Sequence, residues 1–445
     1  MMRFILVASL LVLSPAASAA DTEIRPDAVM LRAPDVSRDA IVFRYAGDLW
    51  LVGKRGGIAR SLSSPAGPET NPTFSPDGTQ IAFMAGYDGG SDIYVLSIDG
   101  GIPLRVTHHP DREVLCGWDP NSKDLIFFSS QDSGQQRAPR LFRVSAAGGQ
   151  PTYLPVPYGL YGAIDESDTW LAYCPQSWAL TESWKRYQGG LAEDIWLFNL
   201  KSHESKRMTS WPGIDAIPMW HGSKVIFLSD RGQNNKRNLW SFDTQSGATE
   251  QLTNFESDVH YPSVGPEDIV FENAGHLWRY EFSSGKSVQV DILIPTDRPA
   301  LRARSVDCTP LADGAIPGPT AKRVAVAARG EIFSIPAKDG VTQNLTHTDG
   351  VAERYPAWSP DGKWIAYITD ASGENELAVR AADGRPFKWG EGPSEMEEKI
   401  LTALGRGYKF RPSWSPDSKT LVFATNDGSL HRVKIADGSH DVIDV

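Results

Sequence analysis

The chain has 445 residues, a formal net charge of −11 at pH 7 and a hydrophobic fraction of 41%. A length well above about 100–200 residues predicts several domains or a long repeat array, and the acidic balance argues against a nucleic-acid-binding protein. The 40 glycines, 31 prolines and 14 tryptophans are typical of many short strands joined by tight turns.

The N-terminus has the pattern of a secretory signal peptide. Met1-Met2-Arg3 precedes an apolar run from Phe4 to Leu13, and a small-residue cleavage site follows at Ala17-Ser18-Ala19. A membrane anchor would need about 18 apolar residues or more, which this run does not reach. We predict that residues 1–20 are a signal peptide and that the mature protein is periplasmic or secreted, without a membrane span.

A pair of strand-like runs recurs along the chain. The first run of each pair begins at Ile41, Ile81, Leu125, Leu171, Val225 and Ile269. Each is followed by a run with an aromatic residue, and weaker segments on both sides bring the unit to four short strands. Tandem four-stranded units of roughly 40–45 residues are typical of β-propeller blades, which cover each other's faces. We predict an all-β fold in which residues 21–292 form a six-bladed β-propeller of four-stranded antiparallel blades.

The pattern stops over residues 293–307, which we interpret as a linker, and then restarts. Three further units begin at Arg323, Trp364 and Thr420. Residues 308–445 are therefore predicted to form part of a second β-propeller. Since three blades do not close a ring, this second propeller is expected to be incomplete and the polypeptide to be a fragment of a longer protein.

The segment PSEMEEKILTALGRG leaves two alternatives open. Its apolar residues fall on one face of a helix, with Ser394 as a possible N-cap and Gly405 at the C-terminal end. An inserted helix and a strand are both compatible with this pattern.

The stretch FSPDGTQIAF at Phe74 returns as WSPDGKWIAY at Trp358 and as WSPDSKTLVF at Trp414. Ser-Pro-Asp-Gly suits a type I turn, because proline presets φ and glycine accepts the left-handed conformation at the end. The aromatic residue before each turn is expected to pack between blades. We interpret the repeat as a structural hairpin and not as a catalytic motif.

The three cysteines are far apart and odd in number, which is not a disulfide framework. Cys116 and Cys174 lie in apolar strand-like runs and are expected to be buried free thiols, with an intramolecular pair as the alternative. No Cys/His spacing indicates zinc, and neither G-x-S-x-G nor H-E-x-x-H occurs. We therefore predict no catalytic residue, no metal and no cofactor.

Two long loops carry the candidate binding residues. Both join the second and third strands of adjacent blades, so we expect them on one face of the ring. Cations mixed with aromatic residues there could receive a peptide carboxylate and apolar side chains, whereas the alternative is a solvated loop with local packing. The candidate substrate-binding residues are Arg137, Arg140, Trp184, Lys185, Arg186 and Tyr187.

The segments IVFRYAGDLWLV, NPTFSPDGTQIAF, SDIYVLSIDGG, WKRYQGG and VIFLSDR resemble the N-terminal part of tricorn proteases, and the resemblance covers essentially the whole mature chain. It implies the propeller portion of an exported serine peptidase that trims peptides. In that family a six-bladed and then a seven-bladed propeller filter and channel peptides or unfolded segments, and the full-length protein assembles into homo-oligomers.

The resemblance also bears on individual residues. The catalytic residues of the family lie in later modules, beyond a PDZ-like domain, so the resemblance assigns none in this chain. An arginine pair that holds the peptide C-terminus in the family has its nearest counterparts in Arg137 and Arg140. The SPDG hairpins are also similar to those of TolB, and the alternative function is a stand-alone periplasmic TolB-like binding protein without enzymatic activity.

Overall fold

A computed structural model describes residues 29–444, apart from 65–66, 135–137, 177–184, 234, 297–304, 349, 383–397 and 406. The predicted signal peptide, residues 1–20, lies outside the described residues. The described part contains no α-helix and consists mainly of short strands, with a 3₁₀ turn at Thr309–Leu311. Within it, no helix is long and apolar enough to cross a membrane.

Six four-stranded antiparallel sheets, blades one to six, follow each other along the first part of the chain. Blades one and two comprise β1 Arg32–Val36, β2 Ala40–Tyr45, β3 Asp48–Gly53, β5 Arg60–Ser61, β6 Glu69–Phe74, β7 Gln80–Ala85, β8 Asp92–Ser97 and β9 Leu104–Arg105. Blades three and four comprise β10 Glu113–Trp118, β11 Asp124–Ser129, β12 Arg140–Ser145, β13 Thr152–Tyr153, β14 Leu160–Ile164, β15 Trp170–Cys174, β16 Trp196–Asn199 and β17 Ser205–Arg207. Blades five and six comprise β18 Asp215–His221, β19 Lys224–Ser229, β20 Asn238–Asp243, β21 Thr249–Gln251, β22 Val259–Val264, β23 Asp268–Asn273, β24 His276–Glu281 and β25 Lys286–Gln289.

Three more four-stranded sheets, sheets seven to nine, follow blade six. They comprise β27 Ala312–Pro317, β28 Arg323–Ala328, β29 Glu331–Pro336, β30 Gln343–Asn344, β31 Arg354–Trp358, β32 Trp364–Thr369, β33 Glu376–Ala381, β34 Glu398–Ile400, β35 Ser413–Trp414, β36 Thr420–Ala424, β37 Leu430–Lys434 and β38 His440–Asp444. Of the two alternatives for the segment before Gly405, the described residues show a strand, because β34 pairs with β33. The first part of that segment, up to residue 397, lies outside the described residues.

The first six sheets close into a ring, as predicted for a six-bladed propeller. Strand β1 contacts β6 of blade two on one side and β22 and β23 of blade six on the other. Lys54 of blade one binds Glu267 at 2.6 Å and Asp268 at 3.0 Å, both at the edge of blade six. The chain leaving blade six then returns to blade one, where β26 (Ile292–Leu293) pairs in parallel with β4 (Gly57–Ile58).

The Asp35 carboxylate joins three blades at the point of closure. It accepts a hydrogen bond from Ser263 Oγ of blade six and another, at 2.5 Å, from the Phe74 backbone N–H of blade two. Its side chain is buried, and burial raises the pKa of Asp35 to about 6 although both hydrogen bonds lower it. Closure therefore places a desolvated carboxyl group between the first and last blades.

The Ser-Pro-Asp-Gly hairpins have the predicted turn geometry. In the first copy, the Gly78 N–H donates to the Ser75 carbonyl at 2.7 Å and Gly78 adopts a φ of +73°. Asp77 accepts from the Ser75 hydroxyl at 2.6 Å, so its carboxylate orders the turn. The preceding Phe74 packs in the apolar layer between blades one and two, which confirms the expected packing role.

A second repeated contact ties the outer two strands of many sheets together. A backbone N–H near the start of the third strand donates to a Ser or Thr hydroxyl just after the fourth strand, which satisfies an amide that the short outer strand leaves unpaired. The donor and acceptor pairs are Leu49–Ser63, Ile93–Thr107, Ile195–Thr209, Leu239–Thr253, Ile332–Thr346 and Leu377–Thr402.

The innermost strand of every blade in the ring carries a β-bulge. At these bulges Tyr161, Ile217 and Tyr261 adopt φ values of +51°, +56° and +46°. A left-handed conformation is costly for such side chains, so the neighbouring blades must impose it. The bulges add local twist to strands that have to follow the ring.

Candidate functional site

The candidate site lies where the ring meets the later sheets. Loops between second and third strands approach from both sides: one contains Lys185, between β15 and β16, and two belong to sheets eight and nine. Lys185 Nζ donates to the Gly373 carbonyl in sheet eight at 3.2 Å. The Lys185 carbonyl accepts from Asn426 Nδ2 of sheet nine at 2.9 Å. The blade-four loop therefore touches sheets eight and nine through one residue, Lys185.

Arg186 is the centre of this junction. Its Nη1 lies 2.8 Å from Asp258, at the start of blade six, and its Nη2 lies 2.9 Å from Glu374, in the turn between β32 and β33. The residue is only 7% exposed and adopts a φ of +62°. A buried guanidinium in a left-handed backbone needs this surrounding structure to hold it.

Further cations surround the same two carboxylates. Lys236 Nζ contacts Glu374, and Arg237 Nη2 lies 3.4 Å from Asp258. Lys185 Nζ lies 3.5 Å from Glu374. We call these residues, with Arg186, Asp258 and Glu374, the junction cluster. It joins blades four, five and six of the ring to sheet eight.

The electrostatics of the junction cluster favour its charged form. Burial by itself would raise the pKa of Asp258, but Arg237 and Arg186 lower it well below its usual range. Burial likewise opposes ionisation of Glu374, yet Arg186 and Lys185 lower its pKa. For Arg186, burial lowers the pKa and is outweighed by Asp258 and Glu374, which raise it. Each of these groups therefore stays ionised, because its oppositely charged partners offset the hydration that it loses on burial.

A small polar cavity adjoins Arg186. Its volume is about 60 Å³, and its walls include Asp230 and Asn235 from blade five and Asn426 and Asp427 from sheet nine. A cavity needs about 10–15 Å³ of such volume to hold one water molecule, so this space can hold a few water molecules and is too small for a peptide. The junction cluster is therefore a contact between propeller segments with little open room.

The structure separates the predicted binding residues into three groups. Lys185 and Arg186 belong to the junction cluster, and Tyr187 follows them half-buried. Arg137 and Trp184 lie outside the described residues.

Arg140, the remaining residue, begins β12 in blade three and is half-buried. Its guanidinium lies 5.3 Å from the ring centre of Tyr153, whose hydroxyl donates to Asp132 at 2.9 Å. This distance is that of a cation–π contact.

The residues that complete the junction cluster were not predicted from the sequence. Asp258, Glu374, Lys236 and Arg237 are separated along the chain and belong to no recognisable motif. The only signal was their position in connections that open on the same face: Lys236, Arg237 and Glu374 lie between second and third strands, and Asp258 lies just before the first strand of blade six. That signal identifies a common face but not the partners across it.

The cysteines and potential metal ligands are the remaining reactive groups. Cys116, Cys174 and Cys308 are free thiols; Cys174 is fully buried as expected, whereas Cys116 is only half-buried. Burial raises the pKa of Cys116 to about 12 and that of Cys174 well above its usual value, which opposes formation of a nucleophilic thiolate. Among the described residues, no group of three or more His, Cys, Asp or Glu side chains could hold a metal ion.

The fold and the junction define a β-propeller protein in which a closed ring is docked onto further blades. The family model described as the tricorn protease N-terminal beta propeller domain matches residues 28–286. The chain belongs to this tricorn protease N-terminal β-propeller family.

Comparison with individual proteins agrees with this assignment. Tricorn protease homolog 1 of Streptomyces coelicolor is 26% identical over 425 residues, which cover 93% of this chain and 38% of that protein. The crystal structure of the tricorn protease shares the fold with a TM-score of 0.53 and 19% identity, over 94% of this chain and 39% of that one. The chain spans a little over a third of the length of the first curated relatives it matches. The Tol-Pal system protein TolB of Wigglesworthia glossinidia brevipalpis is 43% identical over only 42 residues, 9% of this chain and 10% of TolB.

Proposed function

We propose that this chain is the propeller portion of an exported tricorn-like serine peptidase and that it selects and guides peptides toward catalytic modules outside this sequence. The observation that carries the proposal is the family match across the closed ring, residues 28–286. Similarity to Tricorn protease homolog 1 continues through the later sheets, over 93% of the chain. Proteolysis in such a protein would depend on those further modules.

The face that carries the junction cluster is the proposed entry side of the ring. Arg140 begins the third strand of blade three, at the end of the sheet where the loops between second and third strands lie. Lys185 and Arg186, from the corresponding loop of blade four, are engaged by the later sheets. The proposed division of roles is that Arg186 holds the propeller segments together while Arg140 meets a peptide carboxylate.

A binding experiment tests this proposal directly. The purified chain should bind a fluorescent peptide with a free C-terminus more tightly than the amidated peptide, without cleaving either one. Arg140→Ala should weaken binding of the free-carboxylate peptide at least tenfold, since a hydrogen bond to a charged group contributes about 1.5–3 kcal/mol. Arg60→Ala, at an exposed arginine on the outer edge of blade one, is the matched control and should change nothing. Equal affinity for the free and amidated peptides would contradict the proposal that Arg140 binds the peptide carboxylate.

Export is proposed from the N-terminal pattern alone. If residues 1–20 are a signal peptide, the mature chain recovered from the producing cell should begin near Ala19–Asp21. Sequencing the N-terminus of protein from the periplasm or the medium tests this. Recovery of a chain that begins at Met1 from the cytoplasm would contradict the proposal.

The second candidate is a stand-alone TolB-like binding protein. It is favoured by the local identity of 43% to TolB over 42 residues. The two candidates differ in one observable outcome. Addition of catalytic modules from a tricorn peptidase should produce a complex that trims peptides under the first proposal and should have no effect under the second.

A further inference from the structure

Two histidine rings face each other at the outer edge of sheet nine. His431 lies in β37 and His440 in β38, and the distance from His431 Nδ1 to His440 Nε2 is 2.8 Å. The rings are stacked, with centroids 5.1 Å apart and planes inclined by 13°. In the strand register Val433 pairs with His440, so the two histidines are diagonal neighbours on one face.

The hydrogen bonds behind His431 fix which of its nitrogens carries a proton. Thr425 Oγ1 lies 3.2 Å from His431 Nε2 and also contacts two groups that can only accept, the Asp427 carboxylate at 2.5 Å and the Ser429 carbonyl at 3.3 Å. The single hydroxyl proton of Thr425 must therefore go to one of those acceptors. It follows that His431 Nε2–H donates to Thr425 and that Nδ1 presents a lone pair toward His440.

The two side chains differ in how firmly they are held. His431 is 7% exposed and stacks on the buried Phe423 ring at a centroid distance of 5.1 Å. His440 is exposed on the outermost strand. One imidazole is thus oriented by packing and by Thr425, while the other can shift toward a ligand.

We propose that His431 and His440 form a two-histidine binding site for a divalent transition metal ion such as Zn²⁺ or Cu²⁺. For Zn²⁺, metal–nitrogen bonds of about 2.0–2.1 Å in tetrahedral geometry separate two ligand nitrogens by about 3.3 Å, so the pair has to open by about half an ångström. The exposed His440 makes that movement, and its proton passes from Nε2 to Nδ1 by exchange with solvent, so that the neutral imidazole presents its Nε2 lone pair to the ion. Water molecules complete the coordination sphere, since the described residues place no third His, Cys, Asp or Glu ligand there.

The arrangement around His431 is the one that metal sites use to orient a ligand. A ligating imidazole commonly donates its second N–H to a hydroxyl, carbonyl or carboxylate, which fixes the tautomer and increases its basicity. Thr425 supplies that acceptor for His431 and is in turn held by Asp427. Thr425 is accordingly a positioning residue. A bound ion would link β37 to β38 through His431 and His440.

The test uses protein without an affinity tag, because a histidine tag binds the same ions. Titration with Cu²⁺ should show one site per chain, and its electron paramagnetic resonance spectrum should show coupling to two nitrogen ligands. Affinities for Cu²⁺ should exceed those for Ni²⁺ and Zn²⁺, in the Irving–Williams order. Saturation with Zn²⁺ should also raise the melting temperature, because the ion binds the folded form.

Three variants and one control distinguish this site from nonspecific metal binding. His440→Gln, at an exposed edge position, should weaken Cu²⁺ binding at least tenfold and abolish the two-nitrogen signal without unfolding the sheet. Thr425→Val should weaken binding about tenfold and Thr425→Ser should restore it. His347→Asn, at an exposed turn of sheet seven with a φ of +53°, is the control and should bind like the wild type. Unchanged affinity in His440→Gln, or a wild-type spectrum without two nitrogen ligands, would overturn the proposal.

Discussion

Arg186 of blade four donates from Nη2 to Glu374 Oε1 of sheet eight at 2.9 Å, between residues 188 positions apart in the chain. Both side chains are almost fully buried, at 2% and 5% exposure. The pair is shared with Asp258, so a single guanidinium contacts the ring and a later sheet at once. The relative position of the two propeller segments thus depends on a buried ionic contact.

Arg186→Ala should loosen the junction. Removal of one partner from a buried ion pair costs about 3–5 kcal/mol, because the remaining charges stay desolvated. We expect a lower urea midpoint and faster hydrogen exchange in the turn that contains Gly373. Arg432→Ala breaks the exposed pair with Asp441 and is the matched control, for which we expect no measurable change. Slow exchange near Gly373 in Arg186→Ala would show that other contacts hold the segments.

Asp35→Asn should change how the stability of the ring depends on pH. Burial raises the folded pKa of Asp35 to about 6, from 3.8. The native chain therefore keeps a proton that the unfolded chain has lost. The stabilisation that this bound proton adds to the free energy of unfolding is complete below about pH 4 and disappears as the pH rises through 6.

Because the asparagine side chain does not titrate, the free energy of unfolding of the variant relative to the wild type should rise by about 2–3 kcal/mol between pH 4 and pH 7. Urea unfolding at several pH values measures this difference. Asp39→Asn, at an exposed residue four positions away, provides the control. A constant difference between Asp35→Asn and the wild type across this range would contradict the assignment.

Gly78→Ala tests the turn that the sequence repeats. Its φ of +73° lies in the left-handed region, where a Cβ costs about 1–2 kcal/mol. The surroundings are open, with Ser37 Cβ at 4.0 Å as the nearest atom, so the loss of stability should come from the backbone alone. Gly190→Ala is the control, since Gly190 also has open surroundings but no left-handed φ. Equal thermal stability of the two variants would argue against a conformational requirement for glycine.

Trp414→Phe tests a hydrogen bond between adjacent sheets. The Trp414 indole N–H donates to the Ala357 carbonyl of sheet eight at 2.9 Å. Phenylalanine keeps most of the packing but leaves that carbonyl without its donor, at a cost of about 1–3 kcal/mol. Trp358→Phe is the control because its indole donates to Gly362 within its own hairpin. Hydrogen exchange along β31 should increase in the first variant and not in the second.

The same type of contact recurs between other adjacent sheets. Trp118 donates to the Thr73 carbonyl at 3.1 Å, and Trp220 donates to the Ala163 carbonyl at 3.0 Å. Each tryptophan lies near the end of a first strand, and each acceptor lies near the end of the first strand in the preceding blade. Part of the high tryptophan content is therefore explained by this contact.

Much of the architecture could be predicted from local sequence. Apolar alternation and turn chemistry located the strands of the ring and the Ser-Pro-Asp-Gly hairpins, because both signals act within a few residues. The left-handed bulges at Tyr161 and Tyr261 could not be predicted in this way. Their side chains disfavour that conformation, which is imposed by neighbouring blades.

The candidate site shows the same limit. The sequence singled out the loop that contains Lys185 and Arg186, and it left open whether this loop forms a peptide-binding rim or a solvated loop with local packing. It could not identify Asp258 and Glu374 as their partners, because ion pairs over such separations depend on how complete sheets dock.

The sequence by itself therefore determined the repeating unit, its number in the ring and the turns between strands. These features follow from hydrophobic periodicity and backbone preferences that each short segment carries with it. Only the tertiary structure decided which charges are buried together at Arg186 and which imidazoles meet at His431 and His440. Such contacts join residues from different strands or sheets, and their geometry exists only once packing has brought those elements together.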